Sequence, residues 1–381
     1  MINIKKILFV CDKNECTSFG RLTLNLVKAV APEFEAHVLW LKTPKFFPEK
    51  SRGGYQVDYV SHEVWGRSLY TGFASFRGPL KKVIANVAPD VVFFIRPELG
   101  FLVPLAKRAA EKANSNAQTV MFVHDTFAET LYPGSFKFKL LNMFYIKDCV
   151  KADSFVYNSR WTRDEAAKHF GPKMGEARGA VIGCPIDREL FNKPAEAISQ
   201  QEKAAFRKKM GIRNYYGMCV NVSLDEPRKN IDTFFEMARL RPDVAFVRIG
   251  KTSQRMTDII NAKKLYNVFH LERLAAPELR ELYRHADLIV YPSLLEGFGL
   301  PPIEAVACGT PALCAATSAV KENMEGVCPL VDSPTDAEAY AKVIDRVLAG
   351  ENVINENAAQ ALLDRCSMES FSKRVLEFIR R

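Results

Sequence analysis

Two glutamates separated by seven residues, Glu296 and Glu304, enclose the stretch Gly297-Phe298-Gly299-Leu300-Pro301-Pro302-Ile303. The apolar run before it ends at Tyr291 and reads as a strand, and the two prolines fix φ for the first turn of a helix. Glycines let backbone come close to a ligand. A helix N-terminus presents unpaired N–H groups beside the positive end of its dipole, an arrangement suited to a pyrophosphate. Glu304, expected two or three residues into the helix, suits the paired hydroxyls of a ribose, and Glu296, ahead of the glycines, suits the hydroxyls of a sugar. Each piece alone has a plainer role. A carboxylate at a helix start stabilises the dipole by about 0.3–1 kcal/mol, and glycines serve ordinary turns. It is their order within one loop that points to a ligand.

Elsewhere the chain excludes more than it offers. Nine cysteines are scattered without a CxxC pair, which speaks for reduced thiols in a cytoplasmic compartment and against a zinc site or a disulfide framework. Residues 1–190 hold 27 lysines and arginines against 19 aspartates and glutamates, whereas the remainder holds 26 against 25. A basic first half suits either an anionic partner or a merely soluble surface. The basic residues are dispersed and lack aromatic or zinc-finger patterning, so no nucleic acid is expected. The longest apolar runs, such as Val91–Ile95, are far shorter than the roughly 20 residues of a membrane span. Met1 to Cys11 reads as a first strand rather than a leader peptide.

The elements that must position the loop alternate between short apolar strands and amphipathic helices. In the first half, strands are expected at Lys6–Cys11, Ala36–Leu41, Val91–Ile95, Thr119–Val123 and Ser154–Asn158, with helices at Pro79–Asn86, Phe101–Ala113 and Phe136–Val150. The last mixes aromatics with lysines, which suits either a core helix or peripheral contact with an anionic membrane. A turn-rich break at Ile182–Asp187 precedes a second set of strands at Tyr216–Val222, Ala245–Ile249, Val268–His270, Leu288–Tyr291 and Thr310–Cys314. The fold class expected is α/β, two Rossmann-like doubly wound domains with ligands at the carboxyl ends of parallel strands. The expected boundaries are 1–187, 188–366, and a C-terminal helix over 367–381 packing back towards the first domain.

The string Glu296-Gly-Phe-Gly-Leu-Pro-Pro-Ile-Glu304, continued by Ala307-Cys-Gly-Thr-Pro311, resembles the signature of the family 4 retaining glycosyltransferases of the GT-B fold. Thr317–Glu322, Asp332–Ala337 and Asp225–Ile231 resemble flanking segments of the same family. His124-Asp125, Asn158-Ser159-Arg160 and Val181–Asp187 with Phe191 follow its order in the first half. The resemblance implies two domains facing a central cleft that holds a nucleotide-diphosphate sugar. It implies Lys229, Glu296 and His124 as the catalytic set. Lys229 would contact the pyrophosphate, Glu296 the sugar, and His124 the donor sugar or acceptor. Glu304 would bind the ribose, and the amides of Phe298, Gly299 and Leu300 the sugar and phosphate. Gly20, in the loop after the first strand, would close over the phosphates. In the family an arginine usually stands five or six residues before Lys229, where this chain has Ser223 and Leu224. Arg228 is adjacent, with its direction open, and Lys251 and Arg255 are the other candidates for that charge.

The activity so implied is transfer of a sugar, with retention, to a hydroxyl of a glycan or lipid-linked acceptor. It needs neither metal nor cofactor, and the place implied is the cytoplasm or the inner membrane face. Phe46, Phe47 and Trp65 lie in a region that could receive the acceptor. Related activities on this fold include nucleotide-sugar epimerases and glycoside phosphorylases, the latter requiring a cofactor-lysine motif that is absent from this sequence. A binding or scaffold protein that has lost turnover is a further alternative.

Overall fold

The computed structural model describes residues 4–13, 17–41, 57–61, 69–126, 135–175 and 179–381. The chain divides into two compact units, one of Met1–Pro185 with Met368–Arg381 and the other of Ile186–Ser367. Both are parallel-sheet α/β units.

In the first unit, β1 (Lys6–Cys11), β2 (Glu35–Trp40), β3 (Val57–Ser61), β4 (Val91–Phe94), β5 (Gln118–Val123), β6 (Ser154–Tyr157) and β7 (Gly179–Val181) form one sheet in the order β3-β2-β1-β4-β5-β6-β7. Every adjacent pair is parallel. Such a sheet must be covered on both faces, so its strands read as continuous apolar runs. Ile7, Phe9 and Cys11 point to a core shared with Leu22 and Leu26 of α1 (Ser18–Val30). Leu8 and Val10 point the other way, to a core with Leu80 and Ile84 of α2 (Leu69–Val87) and Ala106 of α3 (Val103–Lys112). The last helix of the chain joins the first core through Phe371, Val375 and Ile379. Its Arg374 Nε donates to the Ile182 carbonyl at 2.8 Å.

Local chemistry moves several boundaries away from the sequence expectation. Thr17 accepts the Gly20 N–H at 3.1 Å and starts α1 at Ser18, so Gly20 lies inside a helix, buried, and not in a loop. Helix α2 begins ten residues before Pro79, whose ring nitrogen has no proton to give the preceding turn. Phe136–Val150 is not one helix. It runs as α4 (Phe136–Leu141), a π turn over Asn142–Ile146 and a 3-10 turn over Lys147–Lys151. Phe136 and Met143 are exposed there, while Ile146 and Cys149 are buried. Among the described residues, no helix is long and apolar enough to cross a membrane. Phe46, Phe47 and Trp65 lie outside the described residues.

The second unit has β8 (Gly217–Val222), β9 (Val244–Ile249), β10 (Val268–Leu271), β11 (Leu288–Tyr291), β12 (Ala312–Ala315) and β13 (Leu330–Val331) in the order β10-β9-β8-β11-β12-β13. All adjacent pairs are again parallel. Between strands lie α7 (Ile231–Leu240), α8 (Gln254–Lys263), α9 (Ala276–His285), α10 (Leu300–Ala307) and α11 (Ser318–Met324), preceded by α5 (Arg160–Phe170) in the first unit and α6 (Gln200–Lys209) in this one. One core gathers Phe234, Phe235, Phe246, Leu288, Val290 and Tyr340.

All three tryptophans (Trp40, Trp65 and Trp161) lie within the first unit's span. Phe371→Ala empties a fully buried site there, at an expected cost of about 3–5 kcal/mol. Tryptophan fluorescence in urea should show that unit unfolding at a lower midpoint than in the parent chain, and an unchanged midpoint would contradict this packing.

Candidate functional site

At the carboxyl end of β11 the chain turns through Pro292–Gly297 and enters α10 at Leu300. Gly299, the N-cap, sits at φ +84° and ψ +57°, and a β-carbon there would come 2.9 Å from Val320 Cγ2. Left-handed backbone and close packing thus both require glycine. Pro301 and Pro302 carry no N–H, so the unpaired donors of this first turn are those of Gly299 and Leu300. Phe298 is buried and its carbonyl accepts from Asn323 Nδ2 at 2.7 Å, which fixes the loop before the helix. Because α10 starts at Leu300 and not at Pro302, Glu304 is its fifth residue, about half a turn deeper than the spacing suggested. It is half-buried, and Tyr283 Oη of α9 lies 3.4 Å from its Oε2.

Glu296 is the centre of the unit's polar chemistry. Three donors converge on its Oε1: Lys229 Nζ at 2.6 Å, Ser293 Oγ at 2.6 Å and Tyr291 Oη at 2.9 Å. Arg228 Nη1 approaches Oε2 at 3.1 Å, and Ser318 Oγ accepts the Glu296 N–H at 2.9 Å. The carboxylate is 7% exposed. Burial alone would raise its pKa. The charges of Lys229 and Arg228, with hydrogen bonds from Lys229 and Ser293, outweigh burial and hold the carboxyl below its ordinary range. Lys229 shifts downward because burial opposes its charge more than Glu296 supports it.

The basic pair is delivered by a short turn after β8. Pro227–Lys229 forms one 3-10 turn, ended by Asn230 in the left-handed region at φ +51°. Asn230 Nδ2 donates to the carbonyls of Pro292 (3.1 Å) and Pro334 (2.7 Å). The Arg228 carbonyl accepts the Leu294 N–H at 2.7 Å and Ser293 Oγ at 3.0 Å. The two loops are thus strapped together, and Arg228 turns to the same carboxylate as Lys229. Of the other candidates, Arg255 is taken up by Asp225 (2.8 Å) and Asp232 (2.9 Å), and Lys251 is exposed. A residue that the sequence did not flag, the fully buried Arg248, ties the neighbouring loops through the carbonyl oxygens of Ser223 and Gly250, each at 2.6 Å.

In the first unit, His124 follows β5 directly. Its Nε2 lies 2.8 Å from the Ile95 carbonyl, which assigns the ring proton to Nε2 and leaves Nδ1 as an acceptor. The ring stacks on Phe122 at 4.3 Å and meets the edge of Phe19 at 4.7 Å. Burial pushes its pKa down to about 3, so the imidazole is neutral at physiological pH and accepts hydrogen bonds without taking up a proton. Gly20, expected in a loop closing over the phosphates, lies in α1 and gives its N–H to Thr17 Oγ1. Near His124 stand Arg96 and Glu98, which pair with each other two residues apart and which the sequence did not single out.

Glu296 has a lower pKa in the folded chain than the roughly 4.3 of an unfolded glutamate. Its ionic contribution is therefore complete above that value and is lost as pH falls through the folded pKa. Glu296→Gln leaves Lys229 and Arg228 facing a neutral amide, a loss of about 1–3 kcal/mol at pH 7. The Tm gap between parent and variant should be largest near neutrality and close below about pH 4. A gap independent of pH would refute the ion pair.

Residues 19–190 match Glycosyltransferase Family 4, and residues 202–362 match Glycosyl transferases group 1. The O-antigen chain mannosyltransferase RfbU of Salmonella typhimurium is 27% identical over 231 residues, 59% of this chain and 59% of that protein. The D-inositol 3-phosphate glycosyltransferase of Salinispora tropica is 34% identical over 249 residues, 60% of this chain and 50% of that protein. The chain thus spans between half and three-fifths of the length of these curated relatives. Among solved structures, Anabaena Alr3699/HepE in complex with UDP and glucose matches over 99% of both chains, with a TM-score of 0.73 at 18% identity, a likeness of fold. The first part of the chain is thus similar to Glycosyltransferase Family 4 and the second to the Glycosyl transferases group 1, each match covering less than half of the chain, on a fold shared with GT-B glycosyltransferases.

Proposed function

We propose that the chain is a retaining glycosyltransferase that moves a sugar from a nucleotide-diphosphate donor to a hydroxyl of a glycan or lipid-linked acceptor. The observation that carries this reading is the convergence of Lys229 and Arg228 on Glu296 beside the glycine-capped start of α10. Cations, helix-end amides and a carboxylate that accepts hydroxyls then share one rim of one unit. The names of the relatives, a mannosyltransferase and an inositol-phosphate glycosyltransferase, support the reaction class, and the UDP and glucose in the HepE complex support the donor class.

In this reading the donor's diphosphate takes Lys229 and Arg228 as counter-charges and the Gly299 and Leu300 amides as hydrogen-bond donors. Arg228 thereby supplies the second cation in place of the one absent at Ser223 and Leu224. Developing charge on the leaving diphosphate is offset by groups already in position, the source of most electrostatic catalysis. Glu296, freed from Lys229, accepts from sugar hydroxyls, and Glu304 accepts from the ribose. The leaving phosphate assists deprotonation of the incoming hydroxyl on the same face, so no protein nucleophile takes part and Glu296 and Glu304 are not the acid and nucleophile of a glycosidase. His124, neutral, orients a hydroxyl. The reaction needs no metal, because the two basic side chains and the helix end supply the positive charge. A cytoplasmic site of action completes the reading, supported by the eight described cysteines, all of them buried.

A thermal-shift panel of UDP-, GDP- and ADP-sugars should reveal one stabilising donor, and silence across the panel would refute the proposal. With that donor, Lys229→Ala should lower kcat/KM about 10²–10³-fold. Transfer should be undiminished in EDTA, and a rate lost to EDTA and restored by magnesium would refute metal independence.

A further inference from the structure

On four neighbouring strands of the second sheet, β10-β9-β8-β11, the penultimate residues are His270, Arg248, Asn221 and Val290. His270 pairs in register with Arg248, and Arg248 with Asn221. Polar bonds cross the sheet along this row, close to the edge that carries Lys229 and Glu296. Arg248 Nε donates to His270 Nδ1 at 3.1 Å, and its Nη1 to the Ser223 carbonyl at 2.6 Å. Its Nη2 donates to the Gly250 carbonyl at 2.6 Å and to Thr252 Oγ1 at 3.2 Å. Ser223 Oγ in turn donates to Asn221 Oδ1, and Asn221 Nδ2 to the Val290 carbonyl at 2.8 Å.

Arg248 is fully buried, and none of its four acceptors is a carboxylate. A charge so placed is expensive, and an apolar side chain would fill the strand without that cost. What the planar fork adds is reach in several directions at once, here to the end of β8, the turn after β9 and β10. The backbone is shaped around it: at Gly250, φ +135°, a β-carbon would come 2.4 Å from the Ser223 carbonyl oxygen and 3.1 Å from Arg248 Nη1. Ser223 opens the loop that ends in Arg228 and Lys229. Two residues on, Asp225 accepts from Ser253 Oγ and, at 2.8 Å, from Arg255 Nη2, both just past the turn that Arg248 holds. Asp225 is also the carboxylate whose field supports the charge of Arg248.

We infer that Arg248 is a positioning residue for the donor's diphosphate. Its fork ties Ser223 to the turn after β9 and so sets the loop that brings Arg228 and Lys229 together beside the start of α10. The inference rests on the transferase reading above and adds to it a buried residue that touches no ligand.

Kinetics of the full chain with the donor found by the thermal-shift panel test it. Arg248→Lys keeps the charge and loses the fork, and in folded protein, checked by circular dichroism, it should lower kcat/KM about 10- to 100-fold. In a Lys229→Ala background the same change should cost no more than about threefold, because the group it positions is gone. An arginine needed for stability alone would lower Tm in both backgrounds and leave kcat/KM of the folded chain unchanged. That result, or an equal loss in both backgrounds, would overturn the inference. If Arg248→Lys does not fold, Arg255→Ala, at the exposed second anchor, replaces it in the same cycle. It should lose activity about three- to tenfold with Lys229 present and little without it; an unchanged rate, or an equal loss in both backgrounds, overturns the inference equally. Hydrogen exchange of the 223–229 amides needs no donor and should quicken in either variant, with β12 unchanged. A parent that transfers nothing, with that loop loosened in the variant, loses the transferase and keeps the tie. A parent that transfers, with a variant just as active, keeps the transferase and loses the tie.

Discussion

A buried carboxylate has to be met by donors or it will not stay ionised, and at Glu296 four side chains meet it. Those donors come from the turn after β8, from the end of β11 and from the carboxylate's own loop, so one charge fixes the mutual placement of three segments. The desolvation cost of such a pair is large, and the attraction compensates only when the remaining lone pairs are also satisfied. Here Ser293 and Tyr291 complete Oε1, which explains why a serine and a tyrosine flank a proline at the end of the strand. The pair also holds Lys229 extended and in place, so an incoming anion would exchange one partner for another without first having to order a flexible side chain.

The same topological logic acts twice. In the second unit Lys229 follows β8 and Glu296 follows β11, and these strands are neighbours. In the first unit Asp12 follows β1 and Arg96 follows β4, also neighbours. In each case the first and fourth strands of a doubly wound sheet deliver opposite charges to one edge, since parallel strands all point their carboxyl ends the same way. The two clusters are arranged in opposite sense: one sets two cations on a single carboxylate, the other two carboxylates on a single arginine.

Much of this was legible in the residues. The strand ending at Tyr291 and the glycine-proline entry to α10 follow from local rules of φ, dipole and periodicity, whereas Lys229 was marked by the family resemblance of its segment. What escaped was long-range or below the length that periodicity can detect. β13 has two residues, and β3, an edge strand, carries Asp58 as the second of its five. Thr17 set the start of α1 ahead of Gly20 because a side-chain cap outweighed a glycine read as loop. Each arginine has a near carboxylate, Glu226 for Arg228 and Glu98 for Arg96, but no window of sequence contains the far ones, Glu296 68 residues on and Asp12 84 residues back.

The last helix belongs to the first unit, so the second unit is a guest inserted into its host. Its two ends meet where the Ile186 N–H donates to the Cys366 carbonyl at 2.9 Å. Ends held that close let an inserted segment be excised, or grafted elsewhere, as one uninterrupted piece. The host has no such freedom. Removing Met368–Ile379 strips apolar cover from the sheet that holds β1, so that sheet cannot be fully covered until this late helix has been made.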